Sequence, residues 1–502
     1  MMPEPPPPAL TLGNLLDGLA PVPAGADRVV AGLTLDSRRT RPGDCFIALG
    51  GSRDHGARHA VEAVAAGAVA ILFEPDAAVG DLPVPVLSLP GLRALLPQLA
   101  RRCYGDPARY MKLVAITGTN GKTTVAHLCA QALRELHGAA GYLGTLGYGR
   151  LDQLEPGPNT TPDPITLQRV LAALLAQDCS HVALEASSHA LAQGRLEGLP
   201  IDVAVFTGLG HDHLDYHGTL AAYGAAKQRL FFQPGLRVAV LNADDAYTRV
   251  LRANLPHELE ILSFSLGRDA HGAAEADIEL LASRCSLAGS QLDIRTPTGN
   301  VRIESPLLGE FNVQNLLAAL AVLIAQGVEA NRAAAALAKA RPVRGRMELV
   351  RGGPDAPLVC VDYAHSPDSL ERVLKALRAS GCASLTCVFG CGGDRDASKR
   401  APMGAIAEAL ADRVIVTADN PRGERSADIA AQIRSGMREP SRALEIDDRR
   451  QAIAYAIGHA AAGDVVLIAG KGHETTQRFG DVELPFDDVR IAREMLTGGA
   501  HG

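Results

Sequence analysis

The stretch Ile116-Thr117-Gly118-Thr119-Asn120-Gly121-Lys122-Thr123-Thr124 constrains this chain more than any other. It follows the apolar run Lys112–Ile116. It precedes a segment in which Val125, Leu128, Cys129, Ala132, Leu133 and Leu136 recur at the spacing of one helix face. A strand, a Gly-rich turn and a helix start form the geometry that holds a phosphate. The glycines let backbone N–H groups close around oxygens, and the helix N-terminus adds partial positive charge. In that reading Gly118, Thr119, Asn120, Gly121, Lys122, Thr123 and Thr124 cradle ATP, Lys122 reaches the outer phosphates, and Thr123 serves Mg²⁺. Ile116 stands where the general pattern has its first Gly. The alternative is a tight turn with a chance Gly-Lys-Thr. It is disfavoured because strand and helix both fall where the motif needs them.

The rest of the chain must say what the ATP is for. At 502 residues it is long enough for about three domains, each with its own core. Hydrophobic content of 47% and charged content of 21% fit a soluble globular protein. A net charge of −7, 4% aromatics and no Trp argue against nucleic-acid binding. They also require any anionic substrate to be met by local cations, metal or backbone. Nine scattered cysteines without zinc spacing fit reduced thiols and a cytoplasmic location. No apolar run reaches membrane-spanning length, so no membrane insertion is expected. The proline-rich start, residues 1–9, is expected to be disordered.

Three segments are expected: 1–108, 109–341 and 342–502. The first mixes short strands (Cys45–Leu49, Val69–Phe73) with Gly, Pro and Asp turns. In the second, strands Val182–Leu184, Val203–Phe206 and Arg237–Leu241 alternate with helices, up to an apolar helix Val313–Gln326. In the third, strands Leu358–Val361, Ser384–Phe389, Arg413–Thr417 and Val465–Ala469 each end in a loop rich in Gly, Asp, His or Arg. Such alternation predicts an α/β protein with parallel sheets, whose ligands bind at strand carboxyl ends.

Several clusters suit chemistry at those ends. Glu185 follows a buried strand, where a carboxylate beside phosphate suits Mg²⁺; Ser187 and Ser188 also suit a helix N-cap. The run His211–His217 is dense in His and Asp. Mg²⁺ or Mn²⁺ with His213 as ligand is favoured there over zinc or a solvated loop. Arg395 and Arg422, with Glu474 after Gly470, would suit a zwitterionic amino acid; taken singly, each reads as a surface ion-pair residue.

Together these motifs resemble the Mur ligase family of peptidoglycan synthesis along almost the whole chain. The carrying motifs begin with Asp36-Ser37-Arg38, the phosphate loop, Asn159-Thr160-Thr161-Pro162, Glu185-Ala186-Ser187-Ser188-His189 and Asp212-His213-Leu214-Asp215-Tyr216-His217. They continue with Gly309-Glu310-Phe311-Asn312, Gly345-Arg346-Met347-Glu348 and Asp362-Tyr363-Ala364-His365-Ser366-Pro367, then Asp419-Asn420-Pro421-Arg422 and Gly470-Lys471-Gly472-His473-Glu474.

The resemblance implies a UDP-binding N-terminal domain, a central P-loop ATPase domain and a Rossmann-like C-terminal domain. It implies a monomer that joins meso-diaminopimelate to UDP-N-acetylmuramoyl-L-alanyl-D-glutamate. Ser37 and His55 would face the UDP moiety. Asn159, Thr160, Thr161, Ser187, Gln193 and Arg195 would hold the muramoyl dipeptide. Asn312, Arg346, Asp362 and His365 would line the nucleotide. Arg395, Asp419, Asn420, Pro421, Arg422, Gly470 and Glu474 would hold diaminopimelate. Thr123, Glu185, His213 and Lys227, the last as N6-carboxylysine, would serve the metal; Lys122, Lys227, His213 and Glu185 form the catalytic set. From the residues alone Lys227 reads as an ordinary helix lysine. A lysine-adding ligase and a folylpolyglutamate synthetase-like enzyme are the alternatives within the class; a P-loop switch is the alternative outside it.

One departure stands out. Relatives carry Thr-Asn-Leu where this chain has Thr207-Gly208-Leu209-Gly210-His211. The lost amide leaves two expectations, a looser loop or compensation by His211.

Overall fold

The computed structural model describes residues 10–51, 54–267 and 276–498. The N-terminal tail expected to be disordered lies outside the described residues. The chain divides between Ile261 and Leu262 into two compact units.

The first unit opens with a four-stranded parallel sheet of β1 (Gly32–Thr34), β2 (Asp44–Ala48), β3 (Ala70–Phe73) and β4 (Val86–Ser88) in sequential order. Helix α1 (Leu92–Tyr104) covers it, burying Leu92, Leu96, Leu99 and Ala100. Gly105, in the left-handed region, ends that helix, as glycines commonly do.

The phosphate-loop sheet follows. β5 (Lys112–Thr117) leads into α2 (Lys122–His137), and β6 (Gly141–Gly144), β7 (Gly147–Arg150) and β8 (Gln153–Glu155) form an antiparallel flank. Then come α3 (Pro164–Leu175), β9 (His181–Glu185), α4 (Ser188–Ala192), β10 (Val203–Phe206), α5 (Leu220–Gln228) and β11 (Val238–Asn242). Strand order β11-β10-β5-β9-β6 is parallel, and every residue from Leu113 to Thr117 is buried. Near-continuous apolar strands are what a sheet covered on both faces requires. The expected helix face holds over most of its length: Val125, Leu128, Cys129, Ala132 and Leu133 are buried, and Leu136, in the last turn, is half-buried.

β12 (Glu260–Ser265) carries the chain across the division. In the second unit it meets β13 (Ile278–Ser286), which pairs antiparallel with β14 (Gly289–Thr296), and β14 with β15 (Gly299–Ser305). No element was expected there. β13 reads Ile-Glu-Leu-Leu-Ala-Ser-Arg-Cys-Ser, and a register shift between Leu280 and Ala282 breaks the alternation a strand normally displays. Helix α6 (Glu310–Ala325) is buried almost throughout and starts three residues before the expected Val313.

The final sheet has the order β16 (Glu348–Val350), β17 (Leu358–Asp362), β21 (Val465–Ala469), β18 (Leu385–Phe389), β19 (Arg413–Val416) and β20 (Leu444–Glu445). All its pairings but β16–β17 are parallel. Helix α7 (Pro367–Ala379) packs through Leu370, Val373, Leu374 and Leu377, as its periodicity predicts. α8 (Arg400–Leu410) follows β18, and a hairpin of β22 (Thr476–Phe479) and β23 (Val482–Pro485) follows β21. Each of the four expected strands of this region forms within a residue of its predicted ends. No helix among the described residues is long and apolar enough to cross a membrane.

Candidate functional site

In the first unit the phosphate loop is a backbone construction. Gly118 has φ +146°, and a Cβ there would lie 1.9 Å from Thr207 Oγ1. Only glycine fits so close an approach. Gly121, in the left-handed region, sits at the start of α2. Lys122 Nζ folds back over the loop, donating to the carbonyls of Gly118 (2.9 Å) and Thr119 (3.0 Å).

Glu185, at the end of β9, is 1% exposed and heavily bonded. Its Oε2 accepts from Thr123 Oγ1 (2.9 Å) and Thr145 Oγ1 (3.2 Å). Its Oε1 accepts from Tyr142 OH (2.6 Å) and Thr145 N–H (2.8 Å). Tyr142 and Thr145 were not singled out from sequence; β6 and the turn after it bring them to the neighbouring parallel strand.

The dipeptide motif is coupled to the same point. Thr160 Oγ1 meets Thr145 Oγ1 at 3.2 Å, and Thr161 Oγ1 donates to the Glu185 carbonyl at 2.7 Å. Thr161 Oγ1 accepts from Ser187 N–H at 3.0 Å, while Ser187 caps α4. Arg195 donates to the Thr161 carbonyl (2.7 Å) and to Gln193 Oε1 (2.7 and 2.9 Å). Asn159 is exposed, and its carbonyl accepts from Tyr148 OH.

Lys227, on α5, is 1% exposed. Its Nζ donates to the Gly118 carbonyl at 2.7 Å, the oxygen Lys122 also uses, and lies 4.2 Å from the centre of the Tyr223 ring. Burial, and then the neighbouring Lys122 charge, push its amine well below the usual lysine range. His213 is exposed with φ +52°, and its ring lies 4.8 Å from that of His189 and 6.2 Å from that of Tyr223. Partial desolvation of the imidazole lowers its pKa, with the Asp212 charge opposing. Among the described residues no three His, Cys, Asp or Glu side chains converge as a metal cage. The donor set suits Mg²⁺ held largely by phosphate oxygens with one carboxylate and one hydroxyl.

The Gly208–His211 loop is held without the missing amide. Gly208 carbonyl accepts from Thr119 N–H (2.8 Å), Gly210 N–H donates to Thr119 Oγ1 (2.8 Å), and Leu209 N–H donates to Asp245 (2.8 Å). His211 is exposed and plays no part in these bonds. Asp245 and Thr119 thus do the work that the sequence left between disorder and His211.

In the N-terminal sheet, Ser37 is buried and donates to Glu62 (2.8 Å). His55 Nδ1 accepts from Ala57 N–H (3.0 Å), and its Nε2 lies 3.5 Å from Asp76.

The second unit carries the remaining residues. Asn312 is engaged inside α6, donating to the Leu308 carbonyl (2.8 Å) and accepting from Asn315 (3.1 Å). At the end of β17, Asp362 accepts from Met347 N–H (2.7 Å), and burial raises its carboxyl to about 6 against the pull of Arg346. The Arg346 guanidinium stands 4.6 Å from the centre of the Tyr363 ring, which also meets His365 (4.6 Å) and His473 (5.0 Å). Burial lowers His473 to about 4. Tyr363 and His473 join this cluster although sequence reasoning assigned them no role.

The loops after β18, β19 and β21 are laced together. Gly393 N–H donates to the Asn420 carbonyl (2.9 Å), Asp394 N–H to Glu424 (2.6 Å), and Gly423 N–H to Asp394 (3.0 Å). Beneath them Arg400, 1% exposed, makes a two-armed ion pair with Glu424 (2.7 and 2.9 Å). Arg422 has φ +52° and donates to the Gly393 carbonyl (2.8 Å). A Cβ on Gly392 would lie 2.9 Å from Arg422 Nη1 and 3.7 Å from Arg395 Cγ, so both arginines come close to Gly392. Gly470 likewise admits no Cβ, which would lie 2.4 Å from Asp419 Oδ2.

A P-loop sheet with a carboxylate on the adjacent strand, and a second α/β sheet with cationic strand-end loops, define an ATP-using ligase fold. Family models match in order: "Mur ligase family, catalytic domain" at 29–104, "Mur ligase middle domain" at 116–323 and "Mur ligase, glutamate ligase domain" at 345–472. The chain belongs to the Mur ligase family and has its three-domain α/β architecture. It is 47% identical to the UDP-N-acetylmuramoyl-L-alanyl-D-glutamate–2,6-diaminopimelate ligase of Pseudomonas aeruginosa, over 94% of this chain and 96% of the relative. It is 45% identical to that of Xylella fastidiosa, over 95% and 96%. A solved structure of a ligase of the same name matches with a TM-score of 0.69 at 37% identity, covering 98% of this chain and all of the other.

Proposed function

We propose that this protein uses ATP to join meso-diaminopimelate to the D-glutamyl γ-carboxylate of UDP-N-acetylmuramoyl-L-alanyl-D-glutamate. The named relatives at 45–47% identity over nearly the full chain support this. The observation that carries the acceptor assignment is the convergence of Arg395 and Arg422 beside Gly392, in the strand-end loops of the second unit.

A carboxylate and an ammonium form a salt rather than an amide at neutral pH, so the carboxylate must be activated. Phosphorylation by ATP does this: a γ-carboxyl oxygen attacks the γ-phosphorus, ADP leaves, and an acyl phosphate forms. The free amine of diaminopimelate then attacks the acyl carbon, a proton is lost, and phosphate departs from the tetrahedral intermediate. The difficulty is bringing an anion to a polyanion. Lys122 and the loop N–H groups offset that repulsion. Ser187, Gln193, Arg195, Asn159, Thr160 and Thr161 orient the dipeptide; Ser37 and His55 face the UDP moiety; Arg346, Asp362, His365 and Asn312 line the nucleotide.

Thr123, Glu185 and His213 would hold Mg²⁺ or Mn²⁺, which neutralises charge on the phosphates when bound. Lys227 would join them as a carbamate. Its neutral amine attacks CO₂, forming an N–C bond and releasing a proton. The buried, charge-opposed amine favours that neutral form.

Acceptor choice rests on Arg422. Diaminopimelate carries one more carboxylate than lysine, and a guanidinium binds it through charge-assisted bonds worth roughly 1.5–3 kcal/mol each. Asp419, Asn420, Pro421, Gly470, Glu474 and Arg395 complete the subsite. The test is ATP-dependent phosphate release with the UDP-dipeptide, Mg²⁺ and either meso-diaminopimelate or L-lysine. Turnover with diaminopimelate alone is expected. Equal turnover with lysine would discard the Arg422 argument, and none with either would discard the reaction.

A further inference from the structure

Lys471 is the one residue of Gly470-Lys471-Gly472-His473-Glu474 whose charge has no evident surface use. Its side chain is 0% exposed. Burying an ammonium is costly unless it is paired and hydrogen-bonded, and this one has two side-chain partners. Nζ donates to Glu474 Oε2 (3.0 Å) and to Asn420 Oδ1 (3.0 Å). Asn420 Nδ2 closes the triangle by donating to the same Glu474 Oε2 (2.8 Å).

The triangle has a consequence for both partners. Asn420 Oδ1 also accepts from Arg478 N–H (3.0 Å), so two donors converge on it. An inverted amide would aim NH₂ at an ammonium and an N–H, so the Asn420 orientation is fixed. Glu474 spends only Oε2. Its Oε1 takes no hydrogen bond from the described residues, and the side chain is 32% exposed. The carboxylate is therefore gripped from below by one oxygen and offers the other outward. The backbone supports the same geometry, with Glu474 N–H donating to the Lys471 carbonyl (3.0 Å) and Gly472 in the left-handed region at φ +53°.

We infer that Lys471 is a positioning residue for acceptor recognition: its buried ammonium fixes the Glu474 carboxylate and the Asn420 amide so that Glu474 Oε1 receives the ammonium of the incoming amino acid. This rests on the acceptor reading proposed above. Lys471 itself touches no substrate. Its effect passes through Glu474, so without Glu474's charge its removal has little left to disturb.

The experiment compares wild type, Lys471→Met, Glu474→Gln and the double variant. Phosphate release is measured against meso-diaminopimelate, ATP and UDP-dipeptide in turn. For Lys471→Met we expect the diaminopimelate KM to rise at least tenfold while the KM values for ATP and UDP-dipeptide stay within twofold. The double variant is expected to be no worse than Glu474→Gln alone. If Lys471→Met does not fold, Lys471→Gln, which keeps N–H donors without the charge, takes its place with the same expectation. An unchanged diaminopimelate KM, equal rises for all three substrates, or fully multiplicative losses in the double variant would each overturn the inference. Failure of the acceptor reading itself is separately visible, as wild type that does not turn over diaminopimelate.

Discussion

In the first unit, the loop 117–124 takes its shape from backbone: a glycine pressed against Thr207, a left-handed Gly121, and carbonyls that collect Lys122 and Lys227. In the second, the loops after β18, β19 and β21 take theirs from side chains. Arg400 grips Glu424, Asp394 caps Gly423, and Lys471 ties Asn420 to Glu474. The difference follows from the ligands. A phosphate is the same in every nucleotide and is met by N–H groups and a helix end. An amino acid must be told from its neighbours by the spacing of its charges, which only placed side chains can measure.

The comparison breaks most visibly if the first unit's carboxylate is dispensable. Glu185→Gln keeps the shape but removes the charge; its NH₂ must turn away from the Thr145 N–H and towards the Thr123 and Thr145 hydroxyls, which can rotate to accept. We expect kcat to fall by about a thousandfold, the scale of losing an electrostatic stabiliser, with the chain still folded by circular dichroism. Lys227→Ala comes next. A kcat loss of about a hundredfold or more is expected on the same grounds, partly restored by added formate or acetate. Loss without any restoration would remove the carbamate and leave Lys227 as packing.

In the second unit the expected effects fall on binding. Arg422→Ala should raise the diaminopimelate KM about a hundredfold or more, from the loss of charge-assisted bonds. ATP binding, followed by calorimetry, should be unchanged, because the phosphate loop owes nothing to that side chain. A parallel loss of ATP affinity would erase the contrast between the two regions. Gly470→Ala should be milder in kind but still measurable. The added methyl would press on Asp419 Oδ2 in a backbone with φ +111°, so a stability loss of about 1–3 kcal/mol is expected in urea unfolding.

Much of this contrast is visible in the bare sequence, and unevenly so. Thr117–Thr124 announces itself because its chemistry is local: strand, glycines and helix are contiguous. The same holds for β17, β18, β19 and β21, whose apolar runs end at sharply polar loops. What escapes is contact across long separations. Nothing near Tyr142 or Thr145 says that they will hold Glu185, because only parallel pairing of β6 with β9 brings them there. Asp245's support of Leu209 is likewise hidden. Nothing in Gly470-Lys471-Gly472 says that the lysine between the two glycines is fully buried. The hairpins of 278–305 are a different case: a bulge breaks the period of two in β13 alone, while β14 (Leu292, Ile294) and β15 (Val301, Ile303) bury alternate residues, so there the strand signal was present in the sequence and was not used.

The smallest expected effect is acid sensitivity, and it too separates the units. In the first, burial lowers His127 and His181 to about 4, and His189, His213 and His217 are lowered as well. An imidazole whose folded pKa lies below its free value of 6.5 contributes stability above that value. The contribution is lost as pH falls through the folded pKa, because the unfolded chain binds the proton first. In the second unit His473 behaves the same way, but Asp362 opposes it. A carboxyl raised from 3.8 to about 6 binds its proton first in the folded state, so acidification through that window favours folding. Between pH 6.5 and 4.5 the first unit should therefore lose protection faster than the second. Hydrogen exchange resolved by peptide, comparing β5 and β9 with β17 and β21 after correction for intrinsic exchange, reads this directly. Asp362→Asn should steepen the decline in the second unit alone, since it leaves His473 to titrate without its counterweight. Equal slopes in both units, before and after that substitution, would show that the buried histidines of the first unit do not govern its stability.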